Sequence, residues 1–373
     1  MFVRWRLRLL LAVIAVIGGS PIAGLAATHG DHIGNPIFTA APLASAPGQT
    51  EATIPTWTGK FSHRTLQTSR TYSYTMVGTS PWAGSATTRI PTEIIPIALI
   101  FSSGRSLDGG SKVANTVASP LFQPFSSPVG FTQFGDAVFR TSFYKVVSAT
   151  SPDWHVLLNA PAVLATQTIT VPAERGLQFS GASSGAPIGL IDMNWFQTQL
   201  EKLIRALDID PHTLPIFLTY NSFLFADSPA KCCVIGFHSA IASPGPGNVQ
   251  NLNTYIWASY TDPRIFESPI EDITALSHEI AEWYTDPLIR NVVPAWIQPS
   301  TGTCFSNLLE VGDVLQANRN LSFHIRSNGT DYHPQDVAMF SWFAQQSPSI
   351  ALDGRYSYRG DKLGAPATLC SQK

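Results

Sequence analysis

The sequence predicts a protein of class α+β with a β-rich first half, and three observations carry this. Short runs rich in β-branched and aromatic residues recur between Pro, Gly and Ser clusters. Two segments keep helical spacing of apolar residues. Of 373 residues, 44% are hydrophobic and only 13% charged, about half the usual charged share of roughly 25%, so the chain can bury a sizeable core. No period of repeat-protein length is present.

The elements follow in order. Residues 70–77 (RTYSYTMV) alternate as a half-buried strand does, and 94–102 (IIPIALIFS) is apolar throughout, as in a strand covered on both faces. Further strands are expected at 154–159, 167–172, 214–220 and 253–260. Met193, Phe196, Leu200, Leu203, Ile204 and Leu207 line one face of a helix over 193–207, with Asp192 as its N-cap. A second helix is expected over 271–285, opened by Ser268, Pro269, Glu271 and Asp272 and closed before Pro287. A short one is expected over 336–345.

Export is read from the first residues. Arg4, Arg6 and Arg8 precede an apolar run from Leu9 to Ile17, then Gly, Pro and small residues, the layout of a secretory signal peptide cut after Ala26. An uncleaved anchor is the alternative, although the run falls short of the roughly 20 residues of a comfortable span. Residues 27–55 read as a flexible Ala/Pro/Thr/Gly leader, 56–180 as a β-rich N-terminal part, and 181–373 as the part holding the candidate site. The mature protein is thus expected outside the cell or in the periplasm, without a membrane span. A net charge of -2 excludes the basic stripe that a nucleic-acid binder needs.

In an oxidising compartment Cys232, Cys233, Cys304 and Cys370 are expected to form disulfides. A bridge between neighbours meets disulfide geometry only with strain. One of Cys232 and Cys233 is therefore expected to reach Cys304 and the other Cys370. A thiolate metal site lacks the C-x-x-C spacing.

Chemistry concentrates in three words. In Ser277-His278-Glu279-Ile280-Ala281-Glu282-Trp283-Tyr284-Thr285-Asp286-Pro287, His278 and Glu282 project from one helix face a turn apart and can share one ion. Glu279 is rotated by about 100° from His278, off the coordination sphere but able to face a metal-bound water. This is the layout of the H-E-x-x-H zinc peptidase helix with Glu in place of the second His. Nine histidines make such a word a chance event on the order of 0.005 times in this chain. The competing reading is a surface helix with solvated carboxylates. In Asn307-Leu308-Leu309-Glu310-Val311-Gly312-Asp313, Glu310 lies where a third, glutamate ligand follows such a helix, and Gly312 would permit the turn that aims Glu310 or Asp313 inward. In Cys232-Cys233-Val234-Ile235-Gly236-Phe237-His238, His238 is either a packed core histidine or a fourth ligand that restores the nitrogen character zinc prefers over calcium.

CCVIGFHSA, SHEIAEWYTDP and NLLEVGD, in that order, resemble exported bacterial proteins with a G-[FY]-H-[ST] segment, an H-E-x-x-E-x-x-T-D-P helix and an E-[IV]-G-D loop. More distantly they resemble the secreted exordium-like, phosphate-induced proteins of plants. The resemblance implies a zincin-like, metallopeptidase-like core, a mixed sheet with an active-site helix, and carries His278, Glu279, Glu282 and Glu310 as a site.

Two functions follow as expectations. The first is zinc-dependent hydrolysis of a peptide or cell-wall amide, with His278, Glu282, Glu310 and His238 on the metal, Glu279 as base, and Asp313 and Asp286 in support. A carboxylate in place of the second His makes the metal a poorer Lewis acid, so activity would be low. The second is a non-catalytic wall-associated or glycan-binding protein with a structural ion, calcium among the alternatives. The sequence offers a discriminator: a structural site is closed by protein ligands, a catalytic one keeps a position open, so the approach of His238 decides. An acid/base pair of Glu279 and Asp313 is a third possibility.

Overall fold

The computed structural model describes residues 50–64, 69–181, 184–244, 250–366 and 370. The expected signal peptide and most of the leader lie outside these residues. The leader's last residues do not: β1 (Thr50–Ala52) pairs in parallel with a central strand, so the folded part starts before the expected boundary at 56.

An eight-stranded sheet organises the molecule. At its centre, β2 (Thr92–Phe101) is the apolar run read above, and Ile94, Ile95, Ile97 and Leu99 are fully buried. It pairs in parallel with β3 (Gln167–Val171) and with β4 (Leu214–Tyr220), and β4 pairs in parallel with β6 (Gln250–Tyr260). Antiparallel to β6 runs β5 (Gly236–Pro244). The sheet therefore takes strands from both sides of the expected boundary at 180, and the two parts share one core. Four further strands, Gly176–Ser180, Pro187–Asp192, Ser222–Phe225 and Cys232–Val234, form a second sheet.

Helices cover both faces of the main sheet, which makes the chain a mixed α and β structure. Side chains alternate along a strand, and on β6 Tyr255 and Trp257 join a core with Phe196, Leu200 and Ile204 of α1 (Met193–Ala206). Ile256 and Ala258 face the other way, into a core with Ile280, Ala281 and Trp283 of α2 (Thr274–Thr285). Trp257, Trp283 and Tyr284 are buried in these cores. Asp192 caps α1 as expected, accepting from the Trp195 N–H.

α2 starts three residues later than expected, because its presumed opening residues serve elsewhere. Asp272 takes a positive φ of 42° and accepts from the backbone and ring nitrogens of His333. The C-terminal helix shrinks to Phe340–Phe343.

The disulfides differ from the expectation. Cys232 bridges Cys233, and Cys304 bridges Cys370 with Cα atoms 5.4 Å apart. Chain path decides this. Cys304 opens a strand paired with Val292–Ile297, and Cys370 docks on that same hairpin by donating its N–H to the Ala295 carbonyl. Cys232 and Cys233 sit on a strand of the second sheet.

Candidate metal centre

Three segments build the centre. The first is α2, all of whose residues are buried, which removes the reading of a solvated carboxylate face. The second is β5: in register, His238 stands opposite Ile256, so it shares that residue's face and points at α2. The third is the loop after the strand Cys304–Leu308, tied down by Leu309 N–H to Asn291 O and by Ala338 N–H to Val311 O. His238, His278, Glu279, Glu282, Glu310, Asp313 and Asp286 are each no more than 4% exposed.

The tautomers of both histidines follow from partners that can play one role only. A carbonyl oxygen only accepts, so the 3.1 Å contact of His238 Nε2 with Asp286 O places a proton on Nε2. In the neutral ring Nδ1 then carries the lone pair. Gln335 Nε2 donates to Gly312 O at 2.7 Å, which leaves Gln335 Oε1 to accept from His278 Nδ1 at 3.1 Å. The lone pair of a neutral His278 is therefore on Nε2. Such outer hydrogen bonds are how proteins orient metal-binding imidazoles.

Both lone pairs converge on Glu282. His278 Nε2 lies 3.1 Å from Oε1 and His238 Nδ1 lies 3.7 Å from Oε2. Oε1 also accepts from the Gly312 and Asp313 N–H groups at 3.0 and 3.1 Å. Further carboxylates complete the ring: Asp313 Oδ1 is 3.7 Å from His278 Nε2, Glu279 Oε2 is 3.2 Å from His238 Nδ1, and Glu310 Oε2 is 3.9 Å from His238 Nε2. Glu279 Oε1, both oxygens of Glu310 and Asp313 Oδ1 have no hydrogen-bond partner. The contact of His238 Nδ1 with Glu279 Oε2 is a hydrogen bond when that carboxyl keeps its proton, and the buried oxygens left bare are costly unless a proton or a cation sits among them.

The electrostatics agree. Burial first, then the neighbouring carboxylates, push Glu279, Glu310 and Asp313 well above the usual carboxylate range. Burial also lowers His238, which favours its neutral ring. Glu282 goes the other way: burial would raise it, but His278, His238 and the Asp313 N–H outweigh that. Asp286 is lifted to about 7 by burial. Its carboxylate accepts from the Arg290 and Asn291 N–H groups, so it serves the loop, while its carbonyl orients His238.

The expected residues thus come together, with different neighbours from those read in sequence. Two groups of three donors form, each with its ligand atoms within 4.8 Å of one another: His238, Glu279 and Glu282, and His278, Glu282 and Asp313. Either could hold a metal ion. Glu310 approaches His238 alone, and Asp313 takes the place beside His278 that sequence gave to Glu310. Gly312 has φ −78°, open to any residue, so its use is not a special turn. Its missing side chain leaves room for the His278 ring, which a Cβ would meet at 2.5 Å. Sequence reading missed Gln335, which arrives from 57 residues away and carries no local signature.

Comparison with known protein families, with curated proteins and with solved structures finds no match for this chain. No helix among the described residues is long and apolar enough to cross a membrane.

Proposed function

We propose that this is an exported metalloprotein whose buried His/carboxylate cluster holds a divalent cation in a closed, structural centre. One observation carries the reading: two imidazole lone pairs converge on one carboxylate, among bare carboxylate oxygens, with His238 within 3.2 Å of Glu279 and 3.7 Å of Glu282 on the helix. The close approach of His238 is the condition under which a structural site was expected. Two nitrogen donors favour zinc, while the surrounding oxygens keep calcium as the alternative. The ion would tie α2 to β5 and to the 310–313 loop, a role that suits a wall-associated or extracellular protein.

Hydrolysis by a zincin-like core is the second reading, favoured by Glu279, which follows His278 directly and has a bare Oε1. A bound metal would polarise a peptide carbonyl and acidify water. Glu279, held well above the usual carboxylate range, would take the proton. Against this stands the packing: a Cβ on Gly236 would meet Glu279 Oε1 at 2.8 Å, so backbone lies on the proposed base where a peptide or cell-wall substrate would need to be.

Elemental analysis of mature protein purified without chelators tests the proposal. At least one divalent ion per chain is expected, lost in the His238→Ala/His278→Ala double variant, with peptide hydrolysis no higher than in Glu279→Gln. A chain without bound metal overturns the metalloprotein reading. Hydrolysis abolished by Glu279→Gln replaces the structural reading with the catalytic one.

A further inference from the structure

Resting on the metalloprotein reading, we infer that the centre takes two divalent ions bridged by Glu282, not one. The two donor groups share that residue and no other, and they use its two oxygens separately. On one side, Oε1 faces His278 Nε2 with Asp313 Oδ1 beside it. On the other, Oε2 faces His238 Nδ1 with Glu279 Oε2 beside it. With the tautomers set by Gln335 and by the Asp286 carbonyl, one lone pair faces Glu282 Oε1 and the other faces Glu279 Oε2 at 3.2 Å with Glu282 Oε2 behind it at 3.7 Å. A single ion would sit between one imidazole and its carboxylates and leave the other facing carboxylate oxygens with no cation between them.

Charge leads to the same count. Glu279, Glu282, Glu310 and Asp313 can bring four negative charges into a region where each is at most 4% exposed. Among the described residues their ion-pair partners are the two histidines, and no Lys or Arg is paired with them. Two divalent ions bring the four carboxylates to neutrality. One ion leaves two charges that must be buried unpaired or quenched by protons, and buried unpaired charge is among the costliest features a fold can carry. The bare oxygens of the two donor groups are shared between the sides, Asp313 Oδ1 on one and Glu279 Oε1 on the other, so each half has acceptor capacity to offer.

The test is the zinc stoichiometry of tag-free mature protein after equilibrium dialysis against Zn²⁺, together with the EPR spectrum of the Mn²⁺-loaded protein. Two Zn²⁺ per chain and a spin-coupled Mn²⁺ pair are expected. Glu282→Gln should lose both ions, which separates the centre from surface binding, whereas Asp313→Asn should lose only the ion on the His278 side. One Zn²⁺ per chain overturns the two-ion inference while the metalloprotein reading stands. No Zn²⁺ overturns both. Two ions that Glu282→Gln retains would lie elsewhere and also overturn it.

Discussion

A Cβ built on Gly312 would lie 2.5 Å from His278 Cε1 and Nδ1, closer than carbon atoms pack. The neighbour is a ring whose Nδ1 is held by Gln335, so it can yield only at the expense of that hydrogen bond and of its place against Glu282. Gly312→Ala should therefore tilt His278 away from Glu282 without disturbing the backbone, since φ −78° suits alanine. We expect metal affinity to fall roughly 10–100-fold, the usual effect of disturbing the outer shell of a metal ligand, in a competition titration with a chromophoric chelator. Unchanged affinity would mean that the ring is not a ligand. At this scale the sequence was informative about identity and silent about pairing. His278, Glu282 and His238 could be named because their residue types and spacing carry the chemistry. Which of Glu310 and Asp313 faces His278 depends on the tight turn Asp313–Leu315, whose first N–H groups dock on Glu282, and no local pattern encodes that.

Among the elements, those with a strong period were legible and those fixed by long-range pairing were not. The strands 69–77 and 92–101 and helix α1 fall close to their expected places, because alternation and amphipathic spacing are local properties. β5 escaped notice: Gly-Phe-His-Ser-Ala-Ile-Ala-Ser-Pro has little β propensity, and its nine-residue pairing with β6 makes it a strand. The same long-range logic governs the bridge between Cys304 and Cys370, which closes 66 residues of chain around the Glu310–Asp313 loop. Closing a loop of that length stabilises a fold by about 4 kcal/mol in the chain-entropy account. Cys304→Ser/Cys370→Ser should therefore lose about that much in urea unfolding. If the loop positions Asp313, metal affinity should fall as well. A variant with lower stability and unaltered affinity would show that the tight turn alone holds the ligand.

Across the whole molecule, proton and metal compete for the same buried charge. Without metal, Glu279, Glu310 and Asp313 are pushed well above the usual range by burial, Asp286 up to about 7 and Asp336 up to about 6. A carboxyl whose folded pKa is raised stabilises the fold fully below its unfolded value and loses that contribution as pH rises toward the folded one. Each such group removes about 1.4 kcal/mol per pH unit across its window. Glu282 and His238, both lowered, act in the opposite sense but are outnumbered. The melting temperature of chelator-treated protein should thus fall as pH rises from 3.8 to about 7, the range in which Asp286 titrates. Metal displaces the protons and binds more tightly as pH rises, so the loaded protein should become more stable over the same interval. Thermal melts across that range, with and without metal, should therefore slope in opposite directions. Parallel curves would place the ion away from these carboxylates, because a cation bound among them must reverse the sign of their linkage to the fold.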